Sequence, residues 1–199
     1  QIQPLDSGQN QLAIAVAGDI NQKSDIFLLT DLARALSEKS INAVFHVVGG
    51  GRWMPRLETA APLLTGPCSI QCHGRVDRSR YVSILSECHA ALVLPGRLNH
   101  FPLPVETSDY AAAGLVLLLT HNGELADMVL RADAGVLTNS QPEALTAAIA
   151  PLAIDPQQIA RFRQASRKLA ETSLDREKLA AKAVVWLESL AEIAPVNPL

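Results

Sequence analysis

Lys23, Arg75, Glu106 and Asp109 are the side chains of this sequence best placed to do chemistry, because each stands shortly after a short apolar run. Two are cations, suited to an anion. The two carboxylates open the stretch Pro102 to Gly114, PLPVETSDYAAAG, which reads as a loop, a short helix and a glycine stop. A helix start there presents the backbone of Leu103, Pro104, Val105 and Glu106, with free N–H groups and partial positive charge that favour an anion. Asp109, one turn further in, is an acceptor for ribose hydroxyls. Gly18 follows the first apolar run and Gly74 the third, and glycine lets a ligand approach the main chain closely. Arg75, next to Gly74, carries a planar guanidinium that either lies across a nucleobase or meets phosphate. His100, in the loop before the short helix, is one more polar group for a sugar or phosphate. Taken singly, Lys23 and His100 read more readily as solvated loop residues.

These residues share a site only if the runs before them are neighbouring strands. The runs are Leu12–Ala17, then residues 43–48, 68–73, 90–94, 115–119 and 134–137. Each is short and nearly all apolar, the pattern of a strand buried on both faces. Ser24 is the expected N-cap of a first helix, with Leu29, Leu32 and Leu36 on one face. Helices are also expected over residues 53–64, from Asp77 to Glu87, before Gly114, and over 124–131 and 143–150. Another begins at Pro156. The last carries Leu179, Ala183, Trp186, Leu190 and Ile193 at spacings of four and three, a stripe expected to pack that helix onto the body through Leu179, Trp186 and Leu190. Strands alternating with helices predict an α/β fold: a doubly wound, Rossmann-like, six-stranded parallel sheet with C-terminal helices. The expected strand order is 3-2-1-4-5-6, which brings the loops after strands one, three and four together at the switch point. Residues 12–194 are read as the domain, residues 1–11 as a tail or linker and residues 195–199 as a tail.

The totals narrow the function classes. The chain has 199 residues, a formal net charge of −3 and 48% hydrophobic residues, enough for a real core. Mild acidity gives no reason to expect nucleic acid or an anionic membrane. No apolar run approaches the ~20 residues of a membrane span. The polar start, without an initiator Met or a signal sequence, suggests an excised fragment. Cys68, Cys72 and Cys88 make no disulfide framework and too few ligands for a metal site, so they read as buried thiols of a cytoplasmic protein. Gly49-Gly50-Gly51 follows the second run, not the first, so it is not the dinucleotide fingerprint.

The stretch from Pro102 to Gly114 resembles the donor-nucleotide loop of family-four, or group 1, glycosyltransferases of the GT-B fold. Their second domain carries two glutamates flanking seven residues, then a small-residue helix and a glycine. Asp109-Tyr110-Ala111-Ala112-Ala113-Gly114 matches the end of that motif, with Asp109 at the second glutamate and Phe101 at the first. Gly18 and Lys23 match the family's diphosphate-binding loop, in which Asp19 stands at the basic residue's position. Val47-Val48-Gly49-Gly50-Gly51, Gly74-Arg75-Val76 and Asn122-Gly123-Glu124 resemble the turns after strands two, three and five. The resemblance covers roughly residues 12–170. It implies the C-terminal half of a retaining enzyme that transfers a sugar from a nucleotide diphosphate sugar, with no cofactor and no metal. Lys23 would be the catalytic cation at the leaving group. Gly18, Arg75, Val76, Leu103, Pro104, Val105, Glu106 and Asp109 would bind the donor. The acceptor, a glycan, lipid or other group, would sit on an N-terminal domain outside this sequence. Asp19 and Phe101, at two key positions, keep a degenerate, non-catalytic GT-B-like scaffold or interaction domain as the alternative reading. Sugar-nucleotide epimerases share the two-domain architecture and remain a third reading.

Overall fold

The computed structural model describes residues 11–94 and 103–193. β1 (Leu12–Ala17), β2 (Ala43–Val48) and β3 (Cys68–Gly74) are followed by β4 (Ala90–Leu92), β5 (Val116–Leu119) and β6 (Gly135–Leu137). Every pairing is parallel, and the order across the sheet is β3-β2-β1-β4-β5-β6. This is the expected doubly wound order, with the switch point between β1 and β4. The helices are α1 (Lys23–Glu38), α2 (Met54–Ala60), α3 (Arg78–Glu87), α4 (Val105–Ala112), α5 (Glu124–Ala132), α6 (Pro142–Ile154), α7 (Pro156–Ser173) and α8 (Arg176–Ile193).

Alternation along the strands sorts the core into two layers. Leu12, Ile14 and Val16 of β1 point to one face, with Phe45 and Val47, where Leu29, Leu32 and Leu36 of α1 and Leu145 and Ile149 of α6 cover them. Ala13, Ala15 and Ala17 point to the other, with Ala91, under Ile84 and Leu85 of α3, Tyr110 of α4 and Val129 of α5. The small side chains of that second face let α4 approach closely. Tyr110 is fully buried there, and its hydroxyl accepts the Ala17 N–H at 2.5 Å, at the last residue of β1.

α7 closes both layers. Ile159 and Phe162 join the first cluster, and Leu169, Ala170 and Leu174 join the second. Its Arg163 is buried, and the Nε–H donates to the Gly114 carbonyl at 2.9 Å. Arg167 Nη1 donates to the Ala112 carbonyl at 2.5 Å. Two guanidiniums thus meet the carbonyl end of α4, where orphan acceptors and negative partial charge gather. The opposite end of α4 is left toward the sheet's carboxyl edge.

Several expectations are corrected. The stripe on α8 is not packed: Leu179, Trp186 and Leu190 are 45%, 61% and 43% exposed. Both sheet faces are already covered when α7 ends, so the stripe has no core to join. Helix α1 starts at Lys23 with Gln22 as N-cap, and Ser24 lies inside it. The helix expected over 53–64 is Met54–Ala60 followed by a 3₁₀ turn, Ala61–Leu63. Asp77 does cap α3, accepting the Arg80 N–H at 2.8 Å.

Candidate functional site

Backbone hydrogen bonds lace together the loops that leave β1, β2 and β3. Gly18 N–H donates to the Val48 carbonyl and Gly49 N–H to the Gly74 carbonyl, each at 2.8 Å. Ile20 N–H donates to the Gly50 carbonyl at 2.8 Å, and Trp53 N–H to the Ile20 carbonyl at 3.1 Å. This lacing explains the glycine run. Gly49 has φ +146°, and a Cβ there would stand 2.1 Å from the Gly18 oxygen. The position therefore excludes any side chain, whatever ligand is bound.

Asp19 and Arg75 cross this platform. Asp19 Oδ1 accepts the Gly50 N–H at 3.0 Å. Arg75 Nη2 donates to both Asp19 oxygens, at 2.8 and 2.7 Å. The guanidinium lies over Gly50, where a Cβ would come within 2.7 Å of Arg75 Nε. The acid that stands at the family's basic position is thus neutralised by an arginine from the loop after β3. Arg75 stays 73% exposed, so the pair is a surface feature that contributes little to stability.

Gly18, Asp19, Gly49, Arg75 and Val76 line an open cavity of about 650 Å³ at the carboxyl ends of β1 to β3, together with Arg78 and Tyr81 of α3. Arg78 and Tyr81 also line a second cavity of about 560 Å³, which Asp109 borders. Tyr81 joins the two, because it lines both, and the Asp109 charge acts on its phenol. Burial, then the charges of Asp109 and Glu106, hold the Tyr81 phenol well above its ordinary range, so it remains a donor.

The structure therefore brings Gly18, Arg75 and Val76 into one cavity and places Asp109 at its neighbour. It does not bring the others in. Lys23 is exposed on the first turn of α1, with Nζ 5.3 Å from the Phe27 ring, and lines a separate groove with residues of α2. Leu103, Pro104 and Val105 lead into α4 and line neither cavity; Val105 is 84% exposed. Glu106 is buried in the first turn and lines neither cavity. Phe101 and His100 lie outside the described residues. Sequence reading missed Arg78 and Tyr81, although a cation and a phenol three apart on a helix capped by Asp77 share one face. Among the described residues, no group of three or more His, Cys, Asp or Glu side chains is arranged to hold a metal ion. No helix among them is long and apolar enough to cross a membrane.

The sequence profile described as Glycosyl transferases group 1 matches residues 1–169. The chain belongs to the group 1 glycosyl transferases. Against curated proteins the sequence has no match. Solved structures similar to this group 1 domain include sucrose-phosphate synthase from Thermosynechococcus elongatus, at TM-score 0.72 and 17% identity, covering 92% of this chain and 46% of that one. The C-terminal domain of a group 1 family protein, LpcC, from Francisella tularensis is similar at TM-score 0.66 and 16% identity, over 83% of this chain and 87% of that one. A point mutant of S. aureus TarM, solved with fondaparinux, alpha-GlcNAc-glycerol and UDP, is similar at TM-score 0.69 and 13% identity, over 94% and 37%. The chain thus spans less than half the length of the synthase and of TarM. At these identities the likeness is one of fold, a Rossmann-like half of the GT-B arrangement.

Proposed function

We propose that this domain binds the nucleotide diphosphate sugar for a retaining glycosyl transfer, with the acceptor held by a second domain. The observation that carries this reading is the cavity of about 650 Å³ that gathers Gly18, Arg75 and Val76 at the switch-point edge. Family membership supports the reaction class, and the UDP bound by TarM supports the ligand class. In this reading the backbone of Gly74 to Val76 meets the base and Asp109 holds the ribose. The first-turn N–H groups of α4 and Arg75 face the diphosphate. Lys23 reaches the leaving group by rotating away from Phe27, which its exposure permits. The departing diphosphate is then stabilised electrostatically.

The incoming diphosphate competes with Asp19 for Arg75, so affinity is weak: a Kd of roughly 0.1–1 mM, about 4–5.5 kcal/mol. Calorimetric titration with UDP, GDP and ADP tests this. Lys23→Ala and Arg75→Ala should weaken UDP more than uridine, because they remove charge and no ribose contact. Asp109→Ala should weaken both. A folded domain that binds none of the three at millimolar concentration would support the non-catalytic scaffold instead.

A further inference from the structure

A groove of about 580 Å³ between α1 and α2 belongs to neither cavity above. Ile26, Phe27, Trp53 and Leu63 are among its walls, and Lys23 and Arg56 are its charged lining residues; no carboxylate lines it. Phe27 and Leu63 are 53% and 77% exposed, and both line the groove. Three cations stand on its aromatic rings. Lys23 Nζ is 5.3 Å from the Phe27 centroid, and the guanidiniums of Arg52 and Arg56 are 5.7 and 5.9 Å from the Trp53 ring. Among the described residues none of these three enters a salt bridge, whereas Arg34, Arg75, Arg161 and Arg167 each do. The Trp53 indole N–H is buried with no acceptor among the described residues, an unsatisfied donor at the groove wall.

An apolar groove under a rim of uncompensated cations is complementary to a molecule with an anionic head and an apolar tail. We propose that this groove docks an anionic phospholipid presented by a bilayer. Arg56, in the groove lining, and Arg52, on the Trp53 ring beside it, take the phosphate headgroup, and Phe27, Trp53 and Leu63 take the start of the acyl chain. The arginines suit this role because each remains charged beside the indole. Binding then carries the domain to a surface while the switch-point cavity, lined by other residues, stays available. The inference stands apart from the donor-site reading, and UDP titration of the same variants separates the two.

The test is co-sedimentation of the full chain with vesicles of phosphatidylcholine alone or with phosphatidylglycerol. Binding is expected only to the anionic vesicles, and it should fall as salt rises. Arg52→Gln and Arg56→Gln should each weaken it about fivefold, and together about 25-fold. Leu63→Ser should weaken it with charge unchanged. Because α8 also exposes apolar side chains, a Leu187→Ser/Leu190→Ser chain serves as the control and should bind as the parent does. In a Trp186→Phe chain, emission from Trp53 should shift to the blue on binding. Equal binding to both vesicle types would overturn the proposal. So would loss of binding in the α8 variant with retention in the double arginine variant, or an unchanged Trp53 emission. Selective capture of an acidic peptide with no vesicle binding would point to a protein partner and refute the lipid.

Discussion

Acidification should destabilise this domain through His89, at the start of β4. Its Nδ1 accepts the Ala13 N–H of β1 at 2.9 Å, so the fold requires a neutral imidazole at that nitrogen. Burial, then the nearby Arg163 guanidinium, lower its pKa to about 4 from 6.5. The unfolded chain therefore binds more protons than the folded one between those two values. Stability is at its full level above pH 6.5, falls as pH drops toward 4, and loses nothing further from this group below that. The ceiling of the loss is about 3.4 kcal/mol. Partial exposure of the ring reduces it to about 2 kcal/mol. Across that range the melting temperature should fall by about 4–8 °C from this group alone. His89→Asn is the informative variant, because an amide oxygen replaces Nδ1 as acceptor without titrating. His46 and His73, hydrogen-bonded to each other at 3.0 Å and also shifted down by burial, remain in both chains and cancel in the difference. Urea denaturation of parent and variant at intervals from about pH 7.5 to 4 reads the difference directly. The parent should lose about 2 kcal/mol relative to His89→Asn. Parallel curves would refute the assignment.

Three other outcomes are expected. Tyr110→Phe leaves the buried Ala17 N–H without the hydroxyl it donates to, and should cost about 1–3 kcal/mol in urea denaturation. Gly49→Ala places a methyl against the Gly18 oxygen at a positive φ, so it should cost at least ~2 kcal/mol and weaken UDP binding by displacing the β1 loop; an unchanged melting temperature would show that the loop gives way freely. Trp186→Ser, on an exposed stretch of α8, should change stability by less than ~0.5 kcal/mol, and a larger loss would mean that the stripe is packed after all.

The sheet was legible in the sequence because its signal is local. A short apolar run with glycine or proline behind it makes a buried strand on its own terms, and right-handed crossovers leave few orders for six such strands. The site loops were legible for the same reason, since each begins where a run ends. Side-chain directions were not. The stripe from Leu179 to Ile193 states that one face of a helix is apolar, and says nothing about whether a partner surface remains for it. Lys23 sits where a phosphate-binding lysine is expected, but its ammonium stands 5.3 Å from the ring of Phe27, four residues on along the same helix face, and lines the groove between α1 and α2.

Asp19 shows the same limit from the opposite side. Compared by position, an acid at a basic site reads as a loss of phosphate affinity. In space, Asp19 pairs with Arg75, 56 residues away, and that separation puts the partner beyond any local pattern. The platform at the ends of β1 and β3 therefore contains an arginine, held in place by the acid of the β1 loop. Whether a diphosphate takes Arg75 from Asp19 is a competition between two anions for one guanidinium. The charge-neutral variant Asp19→Asn decides it: tighter UDP binding with uridine affinity unchanged would identify Asp19 as a competitor, and weaker UDP binding would identify it as the residue that holds Arg75 ready.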